Sequence, residues 1–468
     1  MNDKVKYLIK NTGILTVSNF ASKILGFFMV PLYTGILSTK EMGIYDLIIS
    51  SIGLLVPILT LNITDAVMRF SMDKTLSVNK VASIGLKYNT VSCSLALLFL
   101  IAIRVLNIFP EMAHYEIAAY LCFVLSVFNQ FLIQFAKGLE RIKDMAIVGV
   151  LGTIITISSN IICLVFLRWG LTGFFVATIL SQSTSILYLA LRLHLWKYIT
   201  HYAIDKDLQK SMLTYCVPLI VTAVGWWVNS ASDKYVVAFF CGVAANGIFS
   251  VSYKIPSIMN MLQGIFMQAW QISAIKEYGN EGTKEFYGKA FVFINGMLCM
   301  ACSLLIIMTR IIAHFLFAKD FYAAWQYVPF LLISSVINSA AGFLGPILSA
   351  KKDSGTMARS AIIGAGSNLV LNVALVYLIG MQGAAIATVA ASFIIYFVRY
   401  RATRDDVKIH AKIIYIMWLI LCFQSCVEIY FSNYLVEIVL LLIVCVLNRN
   451  VISNVLSTTR SLLRPSRI

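Results

Sequence analysis

Lys23, Lys234 and Lys254 fall inside long apolar runs, and Asp233 stands beside the second of them. An ionised side chain at the centre of a bilayer costs at least ~2.5–3.5 kcal/mol on insertion scales, so each must face protein or water rather than lipid. Lys23 lies near the middle of the first run, too deep to snorkel easily. The turn between the seventh and eighth runs centres near residues 243–244. Lys234 is about ten residues before it and Lys254 about ten after, which at 1.5 Å per residue puts both ~15 Å below the turn. Asp233 can then pair with Lys254 across the hairpin, either as part of a charged site or as a lock between two helices. Lysines lining a cavity suit a substrate carrying phosphate or acidic sugars. Trp226 and Trp227 offer aromatic faces that could stack on sugar rings, and Asn229 both donates and accepts; packing against lipid is the alternative. Asp65 and Arg69, four apart on one helix face, fit a headgroup or gate contact and a surface pair equally well.

The elements that position these residues are membrane helices. Of 468 residues, 60% are hydrophobic and 12% charged, and no polar stretch is long enough for a soluble domain. A hydrocarbon core ~30 Å thick takes roughly 20 apolar residues per helix. Suitable runs occur at 11–37, 42–64, 82–106, 115–136, 145–167, 170–191, 211–241, 247–272, 290–318, 325–350, 357–379, 381–399, 411–431 and 433–448. With the amino terminus cytoplasmic, 29 of the 37 Lys and Arg fall in segments on the inner side, as orientation by positive inner loops produces. Both termini are then cytoplasmic. Five more (Lys40, Arg104, Arg168, Arg310, Lys319) lie at outer ends. The first run is too long for a signal peptide and lacks a small-residue cleavage site, so it reads as an uncleaved helix.

The net charge of +16 does not imply nucleic acid. The basic tail with Arg449, Arg460, Arg464 and Arg467 has no interleaved aromatics, and orientation with attraction to anionic headgroups accounts for it. The ten cysteines sit almost wholly in spans, and the Cys299–Cys302 CxxC lies in an apolar run, so they read as buried small residues. No histidine has metal-ligand spacing, and His314 is placed at an interface. Glu428 and Glu437 flank the last outer turn and read as interfacial too. No cofactor or metal is expected.

Short motifs recur roughly 204–214 residues apart, a period that signals an internal repeat of the half-chain. Gly170-Leu-Thr-Gly173 with Ala177-Thr178 returns as Gly380-Met-Gln-Gly383 with Ala387-Thr388. Gly43-Ile-Tyr45 returns as Gly247-Ile-Phe249, and Ala136-Lys137 as Ala350-Lys351. Order and membrane side agree, which predicts two six-helix halves in parallel repeat: residues 1–206 (helices 1–6) and 207–402 (helices 7–12), with 403–468 as two further helices and a basic tail. Pro31, Pro57, Pro218, Gly225, Pro256, Gly264 and Pro346 interrupt helices and favour a protein that moves.

The stretch Tyr215-Cys-Val-Pro218-Leu219, continuing through Trp226-Trp227-Val-Asn229-Ser-Ala-Ser232-Asp233-Lys-Tyr235, resembles the seventh-helix signature of bacterial polysaccharide flippases of the multidrug/oligosaccharidyl-lipid/polysaccharide exporter superfamily. So does Gly247 to Pro256, running on to Gln268-Ala-Trp270-Gln271. Ala136-Lys-Gly138 with the following helix pair, and Ala324-Trp325 through Lys351-Lys352, fit as well, so the resemblance covers nearly the whole chain. It implies an all-α integral membrane protein of about 14 transmembrane helices, with two six-helix lobes around a central cavity plus two C-terminal helices. It implies movement of an undecaprenyl-pyrophosphate-linked oligosaccharide from the inner to the outer leaflet of a bacterial inner membrane, for O-antigen or capsule. Carried over, the substrate-binding residues are Lys23, Asn229, Asp233, Lys234, Lys254 and Arg69. Other polysaccharide-assembly membrane proteins are candidate partners, alongside the bilayer. A multidrug antiporter would call for an acidic site, a lipid II flippase would lack the seventh-helix signature, and a membrane polymerase would need a large outer loop. Na+ or H+ could couple transport at Asp46, Asp65 or Asp233, or the membrane potential could act alone.

Overall fold

The computed structural model describes residues 22–73, 75–106, 110–198, 205–408 and 411–453. Lys4, Lys6, Lys10, Arg460, Arg464 and Arg467 lie outside them. Eleven of the described helices are long and apolar enough to cross a membrane, and three shorter apolar helices, Ser22–Ile36, Val243–Ser252 and Tyr434–Leu447, join them. Each of the fourteen expected spans has a helical counterpart among the described residues, although residues 11–21 of the first lie outside them. The chain is a multi-pass, all-α membrane protein.

The residues divide into two compact units, Met1–Ala231 and Ser232–Ile468. The division falls inside one continuous helix, Lys206–Cys241, the seventh span.

In the first unit, helix α1 (Ser22–Ile36) is followed by α2 (Thr39–Leu59). Ser38 starts α2 with a reciprocal capping box: its hydroxyl accepts from the Glu41 amide at 3.2 Å, and the Glu41 carboxylate accepts from the Ser38 amide at 2.8 Å. The second span does not run on to residue 64. Pro57 lies in its last turn, and Leu61 and Asn62 both adopt φ of 52°. That left-handed pair ends α2 and starts a short amphipathic helix, α3 (Ile63–Ser71). Ile63, Ala66 and Val67 of α3 pack with Val81, Phe131, Phe135, Leu189 and Met212, which gather α4 (Val78–Leu106), α5 (Glu116–Gly138), α6 (Ile142–Asn160), α7 (Gly170–Leu193) and the start of α8 (Lys206–Cys241) around one core.

In the second unit, α9 (Val243–Ser252) and α10 (Pro256–Lys276) form the eighth span, broken at Tyr253–Ile255. Pro256 lacks an amide hydrogen and sits where a new helix can begin without one. Next come α11 (Thr283–Ile307), α12 (Thr309–Leu316) and α13 (Val328–Ala350). The span ending in α13 is 83% buried, whereas the other long spans are at most half buried, so it is the axis of this unit. Its composition suits that place: apolar all round, with Ser335, Ser339, Ala340 and Ala341 letting neighbours approach. Helices α14 (Ser354–Ile379) and α15 (Met381–Thr403) pack against it and each other, and α16 (Ala411–Cys426) and α17 (Tyr434–Leu447) lie on α11.

The recurring glycine motifs take the same local form in both units. Gly170 (φ 53°) and Gly380 (φ 63°) each turn the chain into a new helix with a backbone that L-residues disfavour. Three residues on, a Cβ on Gly173 would stand 3.1 Å from the Cys163 carbonyl, and one on Gly383 would stand 2.2 Å from that of Leu375. The second glycine thus lets each helix close against the one before it.

Glu428 and Glu437 are not interfacial. Both side chains are fully buried, because the turn between α16 and α17 folds over them and Arg310 of α12 reaches in.

Candidate functional site

Helices α2, α3, α5 and α8 of the first unit enclose a cavity of about 620 Å³, within the ~300–1,000 Å³ range of small-molecule sites. One wall is apolar, with Ile49, Ile52, Val56 and Leu219. The break between α2 and α3 supplies a polar end. There the Asp65 carboxylate accepts from the Asn62 side chain at 2.8 Å and from Gln134 of α5 at 2.5 Å. Ser126 and Gln130, on the same helix as Gln134, also line the space. The other amide atom of Gln134, Oε1, is buried without a hydrogen-bond partner.

The two tryptophans have separate parts. Trp227 donates its indole N–H to the Ser50 carbonyl at 2.7 Å and fixes α8 against α2. Trp226 lines the cavity and is 66% exposed, a bare aromatic face. The lining holds no activated nucleophile. An aromatic face in one cavity with amides and a carboxylate can bind a ring with apolar faces and a hydroxyl rim.

A second, smaller cavity of about 330 Å³ lies between α1, α5, α6 and α7 and is lined by Ser22, Tyr33, Asn129, Thr153 and Thr156. Thr153 donates to Ser22 at 2.8 Å and fixes the rotation of α1. Lys23, the next residue, is exposed.

Arg69 is exposed one turn beyond Asp65, whose carboxylate is engaged by Asn62 and Gln134. Asn229 is half-buried in α8. In the second unit Asp233 is buried; its Oδ1 accepts from the Lys234 amide at 3.0 Å, and the Tyr253 hydroxyl donates to its Oδ2. Tyr253 immediately precedes Lys254, and Lys254 itself sits in the helix break, half-buried like Lys234. Such breaks bring irregular backbone to a cavity rather than to lipid. Ser232 donates to Asn368 of α14 at 3.1 Å, and Asn372 donates to the same oxygen at 2.8 Å, so α8 is anchored beside Asp233 by neutral groups. Lys23, Arg69 and Asn229 therefore belong to the first unit, and Asp233, Lys234 and Lys254 to the second.

Sequence reasoning missed two groups. The Gln134 partner of Asp65 carries no charge and so left no trace in a search for ionisable residues. Arg399, one of the 29 basic residues counted to the inner side, is half-buried within α15, donating to the Ser360 hydroxyl at 3.0 Å and the Ala341 carbonyl at 2.9 Å. Among the described residues no carboxylate pairs with it.

The model of a family described as polysaccharide biosynthesis protein matches residues 8–272, more than half of the chain. The chain belongs to the polysaccharide biosynthesis protein family. Both the cavity of the first unit and the Trp226–Tyr253 region lie within the matched segment. None of the curated proteins matches this sequence. Solved structures similar to this family member include the inward-facing conformation of a multidrug resistance MATE family transporter of the MOP superfamily. It is 14% identical, with 86% of this chain and 98% of that one covered at a TM-score of 0.65. The lipid II flippase MurJ in an inward closed conformation is 16% identical, covering 94% of this chain and 99% of that one, also at 0.65. A MOP superfamily transporter from Pyrococcus furiosus is 16% identical, covering 84% and 92%, at 0.56. The chain thus shares its fold with these transporters.

Proposed function

We propose that this member of the polysaccharide biosynthesis family is a flippase. Its substrate is an undecaprenyl-pyrophosphate-linked oligosaccharide, moved from the inner to the outer leaflet of a bacterial inner membrane by alternating access, for O-antigen or capsule. The carrying observation is the 620 Å³ cavity within a membrane-spanning bundle, lined by the exposed Trp226 face together with Asp65, Gln130 and Ser126. A saccharide needs apolar stacking and hydroxyl partners together. A hydrophobic drug would need only the first.

As contacts for the anionic substrate we propose Lys23, Arg69 and Asn229 within the first unit and, separately, Lys234 and Lys254 within the second, with Asp233 setting the charge balance beside Lys234. Arg399 adds a cation without a carboxylate, suited to an anionic headgroup. Both termini are placed in the cytoplasm, following the sorted basic residues. A polymerase is disfavoured by short outer connections such as that at Gly242.

The test is deletion followed by analysis of lipid-linked intermediates. The expected result is oligosaccharide-lipid trapped on the inner leaflet, relieved by the wild-type chain. Unchanged lipids with altered dye efflux would instead indicate a drug antiporter. Full export by Lys23→Ala, Lys234→Ala and Lys254→Ala, each at normal expression, would remove the headgroup assignment.

A further inference from the structure

The two C-terminal helices carry a buried charge cluster that the proposed substrate path does not use. Arg310 of α12 forms an ion pair with Glu428, Nε lying 3.0 Å from Oε1, and its Nη2 donates a hydrogen bond to the Glu428 carbonyl at 2.7 Å. Its guanidinium also donates to the Ser432 hydroxyl and lies 4.1 Å from the centre of the Trp325 ring. Glu428 sits in the widened helical turn Val427–Phe431, and Glu437 in the first turn of α17. Both are 0% exposed. None of the four carboxyl oxygens of Glu428 and Glu437 receives a hydrogen bond, and Glu437 has no ion-pair partner among the described residues.

A carboxyl shut away from water and given no hydrogen bond, where the one guanidinium is already spent on Glu428, does not stay ionised. The segment Lys319–Tyr327, which brings Trp325 onto Arg310, also carries Lys319 and Asp320, and both are exposed; the other surrounding elements add no further charge. Beyond its first turns α11 contributes only Cys299 and Cys302, α16 contributes Cys422 and Cys426 at this end, and α12 adds only His314, whose ring packs on Phe315 and Tyr322. Asn433 caps α17 by accepting from the Leu435 and Val436 amides, so it offers Glu437 nothing. A metal ion fits poorly: the described residues contain no group of three His, Cys, Asp or Glu, and the guanidinium at 3.0 Å repels a cation.

We infer that, of the two buried carboxyls Glu428 and Glu437, Glu437 binds an exchangeable proton, making the turn between α16 and α17 a proton-binding site. With the proton held, the pair and Arg310 are neutral overall. Once it leaves, two carboxylates face one guanidinium and the turn is pushed open. If the flippase reading holds, this is where proton exchange enters the transport cycle; the site itself does not depend on that reading.

The test uses the purified full chain in lipid nanodiscs and needs no transport substrate. Infrared difference spectra between neutral and alkaline pH should contain a protonated-carboxyl C=O band that shifts in D2O. Glu437→Gln, a neutral isostere of the protonated form, should fold and lose that band. Thermal unfolding should show the wild-type midpoint falling as pH is raised, while that of Glu437→Gln stays flat. An identical band in wild type and Glu437→Gln would overturn the proposal. So would a wild-type midpoint raised by Na+ at constant pH in a way the variant lacks, which would make the ligand a metal cation. If Glu437→Gln fails to fold, Glu428→Gln carries the same comparison.

Discussion

Replacing Asp65 by Asn and by Leu separates two roles that its position combines. The carboxylate accepts two amide bonds, from Asn62 at 2.8 Å and Gln134 at 2.5 Å. In Asp65→Asn the new amide oxygen keeps the Asn62 bond, and the new amide nitrogen can donate to Gln134 once that side chain turns over. Gln134 can turn at little cost because its Oε1 has no partner to give up. Two charge-assisted bonds become two neutral ones, a loss of about 1 to 2 kcal/mol. Asp65→Leu removes both acceptors and strands two amide donors. Each unpaired buried donor costs ~1–3 kcal/mol, and some water reaches this end of the cavity, so about 3 to 5 kcal/mol is expected in total. The two variants should therefore differ by about 2 to 3 kcal/mol in unfolding titrations of the purified chain in mixed micelles. In the double variant Asp65→Leu with Gln134→Leu, part of that cost should return, because one stranded donor is gone. If Asp65→Leu proved as stable as Asp65→Asn, or the Gln134 change gave back nothing, the break between α2 and α3 would not be held by this network.

Trp226→Ala should lower oligosaccharide export with little change in expression, whereas Trp227→Ala should lower the amount of folded protein, because only Trp227 ties α8 to α2 through Ser50; equal effects in paired export and expression assays would contradict the division. Gly383→Ala should be destabilised by at least ~2 kcal/mol, since its Cβ would lie 2.2 Å from the Leu375 carbonyl, while Gly366→Ala, with open space around it, should be near neutral in the same unfolding assay. Asp205, outside the spans, is held below the usual carboxylate range by the Leu208 amide and then by Lys80, 3.0 Å away. Its contribution is therefore present above that range and lost as pH falls through it, so the acid side of a melting-point profile should flatten in Asp205→Asn.

What the sequence made legible follows from what dominates the energy at each position. Burial of apolar length decides where helices run, and that signal is strong enough that all fourteen spans have helical counterparts. The glycine echoes were legible because a backbone with positive φ and a close carbonyl leave glycine little competition at Gly380 and Gly383. Side-chain partners were harder to read, because position along the chain does not set the distance between helices. Glu428 and Glu437 look interfacial when only their place beside a turn is known. They are buried because Arg310, more than a hundred residues earlier in the chain, enters the same turn from α12. Asp65 and Arg69 share a helix face by spacing, yet Gln134 from another helix takes the carboxylate. In both places the residue that decides the site comes from a different helix than the one being read. The same logic separates the charges of this chain: some are paired at helix ends, as Asp205 is by Lys80, whereas those that meet a side chain from a distant helix within the spans shape a site. By that criterion Asp65 with Gln134, and Glu428 and Glu437 with Arg310, are the positions where mutation should change transport without changing topology.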